Sequence, residues 1–132
     1  KETGWGTSRF AIEGNALFGQ WTWSGEGIKP AGADNDATHK IMKFKILKSS
    51  VRAYQRNLNT HSSYKQFRLA RAELRDNKMK LDSLILSNYL DKYAETGDEY
   101  VKILKQIIKQ NNLTELDDAK LLPSSKKLKS LI

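Results

Sequence analysis

Cysteine is absent from the 132 residues of this chain, and there are only two prolines and two histidines. The absence of cysteine excludes disulfide bonds and thiolate metal sites, although it does not identify the compartment. Apolar runs are also short, and none approaches the roughly 20 residues that a membrane-spanning helix requires. We therefore expect no membrane span and no metal centre built on cysteine.

Acidic residues are scarce relative to basic ones. The chain has 15 Asp and Glu against 23 Lys and Arg, which gives a formal net charge of +8. Such a charge predicts attraction to a polyanion, of which nucleic acid is the general example. The basic residues are scattered, which is also typical of a solvated face, and no helix interleaves them with exposed aromatics. We therefore expect no nucleic-acid partner.

Two parts of the chain differ in their residue pattern. Residues 15–46 combine glycines with the alternation Trp21-Thr22-Trp23, which predicts a small β-hairpin lobe with a polar loop at 33–37. From Lys48 onward apolar residues recur three and four apart, which predicts helices starting near residues 49, 63, 82 and 98. The predicted buried positions are Val51, Tyr54, Leu58, Phe67, Ala70, Leu74, Leu81, Leu84, Ile85, Leu86, Tyr89, Leu90, Tyr100, Ile103, Leu104, Ile107 and Ile108.

The two ends of the chain carry separate expectations. Residues 1–13 are predicted to hold the end of a helix and a short turn, because glycines punctuate them. Residues 113–132 are Lys-rich and contain Pro123, which predicts a loosely attached basic tail. One domain over residues 1–112 is long enough to bury a core.

The most informative segment is residues 2–6, with the sequence Glu-Thr-Gly-Trp-Gly. It places a carboxylate beside an aromatic side chain and flexible backbone. Burial against an indole raises a carboxyl pKa and suits a general acid, so Trp5 is the predicted wall against Glu2. Taken alone, a glutamate in such a position is more often a solvated surface charge.

Two downstream segments strengthen this interpretation. Residues 15–21 read Asn-Ala-Leu-Phe-Gly-Gln-Trp, and residues 93–100 read Tyr-Ala-Glu-Thr-Gly-Asp-Glu-Tyr. Together with residues 2–6 they resemble the glucosaminidase family of bacterial cell-wall hydrolases, glycoside hydrolase family 73. Gln20-Trp21 and residues 57–61, Asn-Leu-Asn-Thr-His, resemble its Bax-like Gram-negative branch. The resemblance extends over about residues 1 to 112.

The resemblance implies an α+β, mainly α fold: a lysozyme-like helical domain with a small β-hairpin lobe. It implies a glucosaminidase catalytic domain whose N-terminal helix is truncated, so that the parent protein is longer. The implied activity is peptidoglycan hydrolysis at the β-1,4 glycosidic bond on the reducing side of N-acetylglucosamine, without a cofactor. The implied location is the cell envelope, in the periplasm.

The same resemblance assigns roles to individual residues. Glu2 matches the general acid. Tyr93 matches the tyrosine of the Tyr-Ala motif, where its phenol binds the N-acetyl group or the attacking water; the alternative is a core aromatic. The predicted substrate-binding residues are Asn15, Phe18, Gln20 and Trp21.

Asn15, the tryptophans of the lobe and Tyr100 also have structural interpretations. Instead of binding substrate, the Asn15 side chain could hydrogen-bond local backbone groups, as asparagine commonly does in turns. Trp21 and Trp23 alternate, and we expect one to face the cleft and the other the core. Tyr100 is expected in the core.

The sequence departs from the family pattern at the second acid. Many relatives place a glutamate after a threonine near the end of the β-lobe, whereas this chain reads Thr38-His39-Lys40. Asp34 and Asp36 are the nearest acids, and either is a candidate base for water, with Asp36 placed among the catalytic residues. The alternative for this loop is a solvated turn. Substrate assistance by the acetamido group is the alternative and requires no second acid. A cation site at the two aspartates lacks further ligands, and His39 has no partner histidine, so no metal site is predicted.

Two other functions remain open at this point. A lytic transglycosylase also uses one glutamate in a lysozyme-like fold, and it differs in leaving 1,6-anhydromuramyl ends. A non-catalytic basic module would bind wall polymer or nucleic acid without cleaving it.

Overall fold

The computed structural model describes residues 2–32 and 38–120. These residues divide into two compact units, with the boundary between Arg56 and Asn57. We call residues 2–56 the N-terminal unit and residues 57–120 the C-terminal unit. Asp34 and Asp36 lie outside the described residues, as do residues 121–132.

The N-terminal unit begins with turns, and its first helix follows them. Helix α1 spans Arg9–Gly14, and the Ser8 hydroxyl at its N-cap accepts a hydrogen bond from the Ala11 amide at 3.3 Å. Asn15 ends the helix in the left-handed conformation, with φ 50°. The prediction of a helix end followed by a turn was therefore wrong in its order. Gly4, Trp5 and Gly6 all have positive φ, which is incompatible with a helix there.

The predicted β-lobe is confirmed as a small antiparallel sheet. Strands β1 (Trp21–Thr22), β2 (Gly27–Ile28) and β3 (Lys40–Met42) lie in the order β1-β3-β2. The central strand pairs Trp21 with Ile41 on one side and Ile28 with the same residue on the other. Glycine is required at residue 27, because an added Cβ would lie 2.6 Å from Lys40 Cβ and 2.9 Å from the Ile41 oxygen.

Helix α2 spans Leu47–Thr60 and contributes residues to both units. It starts two residues before Ser49, the first of the two predicted caps, and the Ser50 hydroxyl bonds another segment of the chain. Ser50 is fully buried, and its oxygen accepts a hydrogen bond from the Leu17 amide at 3.1 Å. Of the predicted apolar stripe, Leu58 is buried, whereas Val51 is 38% exposed.

The C-terminal unit starts with a short 3₁₀ helix, Ser62–Tyr64, that leads into α3 over Lys65–Asp76. The predicted core positions of α3 are confirmed, since Phe67, Ala70 and Leu74 are all buried. Helix α3 therefore presents one apolar face to the core of this unit.

The third predicted helix starts where expected but is not a single α-helix. Asp82 caps α4 (Ser83–Leu86) by accepting a hydrogen bond from the Ile85 amide at 2.9 Å. The chain then continues as a 3₁₀ helix over Ser87–Tyr93, with non-helical backbone angles at Tyr89 and Leu90. The sequence pattern did not distinguish the two helix types, because both place residues three apart close together.

Helix α5 spans Asp98–Gln110 and begins at the predicted residue. Tyr100 and Val101 are buried in it, so the core assignment of Tyr100 is confirmed. Ile103, Leu104, Ile107 and Ile108 are half-buried. With the small sheet of the N-terminal unit, these helices make the chain mainly α in an α+β fold, as predicted.

The first part of the predicted tail is ordered. Residues Leu113–Leu116 form a 3₁₀ helix, and the Asp117 carboxylate accepts hydrogen bonds from the Ser83 amide and hydroxyl at 3.0 and 3.1 Å. Lys80 and Asp118 form an ion pair. These polar contacts attach Asp117 and Asp118 to the start of α4 and the residues just before it. A basic tail over residues 113–132 stays a prediction. Across the described ranges, no helix is long and apolar enough to cross a membrane.

Candidate functional site in the N-terminal unit

The turn that carries Glu2 is anchored by its neighbour. Thr3 is only 5% exposed, and its hydroxyl donates a hydrogen bond to the Leu17 carbonyl at 3.3 Å. The Thr3 carbonyl accepts bonds from the amides of Gly6 and Ser8 at 3.2 and 3.1 Å. These contacts hold the backbone beside Glu2 while its carboxylate remains exposed to solvent. The turn therefore positions an accessible carboxylate next to residues 15–21.

Trp5 does not form the predicted wall. Its side chain is 73% exposed, and Glu2 is itself exposed, so the expectation of a carboxylate buried against the indole was wrong. Trp5 adopts φ 57° between two glycines that also have positive φ. This left-handed backbone turns residue 5 away from the packed side of the segment, which Thr3 occupies.

The Asn15 side chain hydrogen-bonds backbone carbonyls that are distant along the chain. Its Nδ2 donates to the carbonyls of Phe44 and Lys45, at 3.0 and 3.3 Å. The structural alternative for Asn15 is thus realised, although the backbone groups lie about 30 residues along the chain and are not local. Substrate binding by Asn15 stays a prediction.

Along the chain, Phe18 and Gln20 lie in the segment that connects α1 to β1. The Phe18 ring stacks on Tyr54 of α2, with centroids 4.1 Å apart and planes within 9°. The Gln20 backbone carbonyl accepts a bond from the Met42 amide at 2.8 Å. Its side-chain oxygen is buried and has no hydrogen-bond partner within the described residues. This oxygen is an acceptor that a donor on a ligand would satisfy.

The two tryptophans of the lobe share an exposed aromatic cluster. Trp21 is 50% exposed and Trp23 is 69% exposed, whereas Thr22 between them is buried. The prediction that one indole faces the core was wrong, because side chains two residues apart in an extended chain point to the same side. Trp21 also stacks on His39, with centroids 4.5 Å apart. We call Trp21, Trp23 and His39 the aromatic platform.

His39 is the member of this platform that sequence reasoning missed. The pairing of Trp21 with Ile41 places His39 two residues from the directly opposite position, which is the diagonal neighbour in an antiparallel sheet. Aromatic side chains reach that far. Only the strand register shows the contact, because residues 21 and 39 are well separated along the chain.

Tyr93 lies in the C-terminal unit, in a series of aromatic rings. Its centroid is 6.2 Å from that of Tyr64 and 5.7 Å from that of Tyr100, with which it stacks within 14°. Tyr93 is half-buried, whereas the two flanking rings are each 5% exposed. Tyr93 therefore packs in part as a core aromatic, while some of the residue stays accessible to solvent. Its role in substrate binding stays a prediction.

Tyr64 is bound to a residue from the segment 57–61. Burial raises the pKa of the Tyr64 phenol above its ordinary value of 10.0, and a hydrogen bond with Asn57 acts in the opposite direction. The phenol is therefore neutral and hydrogen-bonded at physiological pH. Tyr64 in turn supports one side of Tyr93.

The predicted site residues fall into three groups. Glu2, Asn15, Phe18, Gln20 and Trp21 all belong to the N-terminal unit, where the contact between Thr3 and Leu17 joins the two segments that carry them. Tyr93 belongs to the C-terminal unit, and Asp36 lies outside the described residues. Within residues 2–32 and 38–120, no three His, Asp or Glu side chains come together as a metal-ligand set.

Comparison with known proteins shows the family of this chain and a similar protein. The glucosaminidase family model, described as mannosyl-glycoprotein endo-beta-N-acetylglucosaminidase, matches residues 1–113. The chain is also 34% identical over 110 residues to "Protein bax" of Escherichia coli strain K12. That alignment covers 83% of this chain but 39% of the relative, so the chain spans well under half of the relative's length. No solved structure matches the chain significantly.

Proposed function

Because this chain belongs to the glucosaminidase family, we propose that it is the catalytic domain of a peptidoglycan hydrolase. In this proposal it cleaves the β-1,4 bond on the reducing side of N-acetylglucosamine in the cell envelope, in the periplasm. The observation that carries the proposal is the family match, which includes residues 2–6, 15–21 and 93–100. The accessible Glu2 carboxylate on an anchored turn supports it further.

Glu2 is the proposed general acid. Glycoside cleavage requires a proton on the leaving oxygen as the bond to the anomeric carbon breaks, and that carbon develops oxocarbenium character. Glu2 in its acid form donates this proton. Its exposure is compatible with reaching a polymeric substrate, and the bond from Thr3 to Leu17 limits the movement of its backbone.

The second half of the reaction has two proposed routes. In the first, Asp36 removes a proton from the water that attacks the anomeric carbon. In the second, the acetamido oxygen of the substrate attacks that carbon as the glycosidic bond breaks, and Tyr93 orients the acetamido group. Water then opens the resulting oxazolinium ion, and its proton passes to the Glu2 carboxylate. We favour the second route, because His39 stands after Thr38, where many relatives have a glutamate, and its ring stacks on Trp21.

Product analysis tests the proposed function. Purified sacculi are digested with the protein, and the new ends are identified by mass spectrometry. Reducing N-acetylglucosamine ends are expected. 1,6-Anhydromuramyl ends would instead identify a lytic transglycosylase, and intact sacculi with bound protein would identify a binding module.

A further inference from the structure

Helix α3 gathers three arginines that are scattered in the sequence. Arg68, Arg71 and Arg75 are three and four residues apart, so they share one face of Lys65–Asp76. That face lies beside the apolar one formed by Phe67, Ala70 and Leu74. Scattered basic residues are typical of a solvated face, but the structure gives Arg68 and Arg71 specific partners.

Two of the three guanidinium groups are held in place. Arg68 donates from Nη1 to the carbonyls of Leu58 and His61, at 3.0 and 2.8 Å. Arg71 donates from Nη2 to the side-chain oxygen of Asn59 at 2.5 Å, and its Cζ lies 5.4 Å from the Phe67 ring centroid. Holding a guanidinium in one orientation reduces the conformational entropy that the arginine side chain would lose on binding a ligand.

The three positive charges have no acidic partner in the described part of the chain. None of the ion pairs found there involves these arginines. The pKa of Arg71 is lowered, first by partial burial and then by the positive charges of Arg75 and Arg68. The helix thus holds like charges close enough to repel one another, and an anion between them would remove that repulsion.

The free donors suit an oxyanion. A guanidinium has five N–H groups in a planar fork, and the contacts of Arg71 and Arg68 occupy only some of them. That fork matches carboxylate geometry with two parallel hydrogen bonds. Arg75 is exposed, and its guanidinium makes no hydrogen bond within the described residues, so the donors of this side chain are open to a ligand.

We propose that Arg68, Arg71 and Arg75 form a carboxylate-binding site for the peptide stems of the wall polymer. This inference rests on the proposed function for its choice of polymer. Charge complementarity supports it, since the peptide stems carry carboxylates. Single-stranded nucleic acid fits less well, because its binding sites use exposed aromatics for base stacking. The exposed tryptophans of the described chain are all in the other unit.

Binding is measured apart from catalysis. All proteins carry Glu2→Gln, so that sacculi stay intact, and co-sedimentation gives the dissociation constant. The test variant is Arg71→Gln/Arg75→Gln. The matched control is Lys80→Gln/Lys102→Gln, which removes the same charge from two lysines outside α3 that are paired with Asp118 and Glu99.

The expected result is a loss of about tenfold in affinity for the test variant and less than about twofold for the control. Sacculi whose carboxyl groups have been amidated with carbodiimide and glycinamide should bind the test variant and its parent equally. Glycan stripped of stems by an amidase keeps only lactyl carboxylates. It should also show little difference between these two proteins, which identifies the stems as the source.

Three results would overturn the site: equal losses in test and control variants, an undiminished difference on amidated sacculi, or tighter binding to a DNA oligomer with the same arginine dependence. Arg75→Gln alone keeps the inference testable if the double variant does not fold. Failure of the proposed function would look different, since sacculi would then stay undigested by the wild type while the arginine dependence persisted.

Discussion

Glu2 is the residue at which catalysis and binding can be separated. Glu2→Gln keeps the size of the side chain but cannot donate a proton, and general acid help is worth about 10² to 10⁴ in rate. We expect turnover of sacculi to fall by that factor while co-sedimentation changes little. Glu13→Gln on α1 is a matched control for a lost carboxylate. Retention of more than about a tenth of the activity would contradict the assignment of Glu2.

Asp36 and Tyr93 distinguish the two routes for the second half of the reaction. If the acetamido group attacks, Asp36→Asn should be mild and Tyr93→Phe should cost about tenfold or more in kcat. If Asp36 activates water, Asp36→Asn should cost about as much as Glu2→Gln. Both variants are assayed on the same muropeptide. Near-total loss in Asp36→Asn with an active Tyr93→Phe would reverse our preference.

Tyr64 predicts how stability depends on alkaline pH. Its folded-state pKa is raised above the ordinary value of 10.0, because burial disfavours the phenolate. The stability linked to this residue is therefore fully present below about pH 10 and is lost as pH rises through the folded-state pKa. We expect the urea midpoint to fall more steeply above pH 10 in the wild type than in Tyr64→Phe. Parallel curves would show that Tyr64 does not titrate as inferred.

At the scale of elements, the aromatic platform is the feature of the β-lobe with a direct test. Its exposed rings present flat apolar surface of the kind that the C–H face of a pyranose covers. We expect Trp21→Ala to weaken binding of N-acetylglucosamine oligomers by about fivefold, as measured by calorimetry. Trp23→Ala should act in the same direction.

Leu116→Ala is the matched control, because it removes an exposed apolar side chain that is 64% accessible in the C-terminal unit. It should leave oligomer affinity unchanged. An equal loss of oligomer affinity in Leu116→Ala, or no loss in Trp21→Ala, would show that the aromatic platform does not bind the substrate.

Helix boundaries show where local pattern succeeds and where it does not. The starts of α4 and α5 follow from local signals, since Asp82 caps its own helix and Gly97 precedes α5 with φ 51°. The start of α2 does not, because the hydroxyl of Ser50 bonds the Leu17 amide 33 residues away. The sequence does not distinguish a serine that caps a helix from one whose hydroxyl bonds a distant segment.

At the scale of the whole molecule, the net charge of +8 predicts a salt-dependent encounter with an anionic polymer. Salt screens such long-range attraction, with a Debye length of about 10 Å at 0.1 M. We expect kcat/KM on soluble glycan chains to fall as salt rises from about 0.05 to 0.3 M, while kcat changes little. Glycan with amidated carboxyl groups is the control, and an equal salt effect on it would argue against electrostatic attraction.

The sequence by itself determined the family, the mainly α class, the apolar stripe of α3 and the small β-lobe. These follow from motifs and from residue spacings that repeat within one segment, as with Phe67, Ala70 and Leu74. Tertiary structure alone decided which side chains meet across long separations. It exposed Glu2 and Trp5, stacked His39 on Trp21, and placed Tyr93 between two tyrosines. The physical reason is that strand register and backbone turns, rather than local propensity, set the direction of each of these side chains.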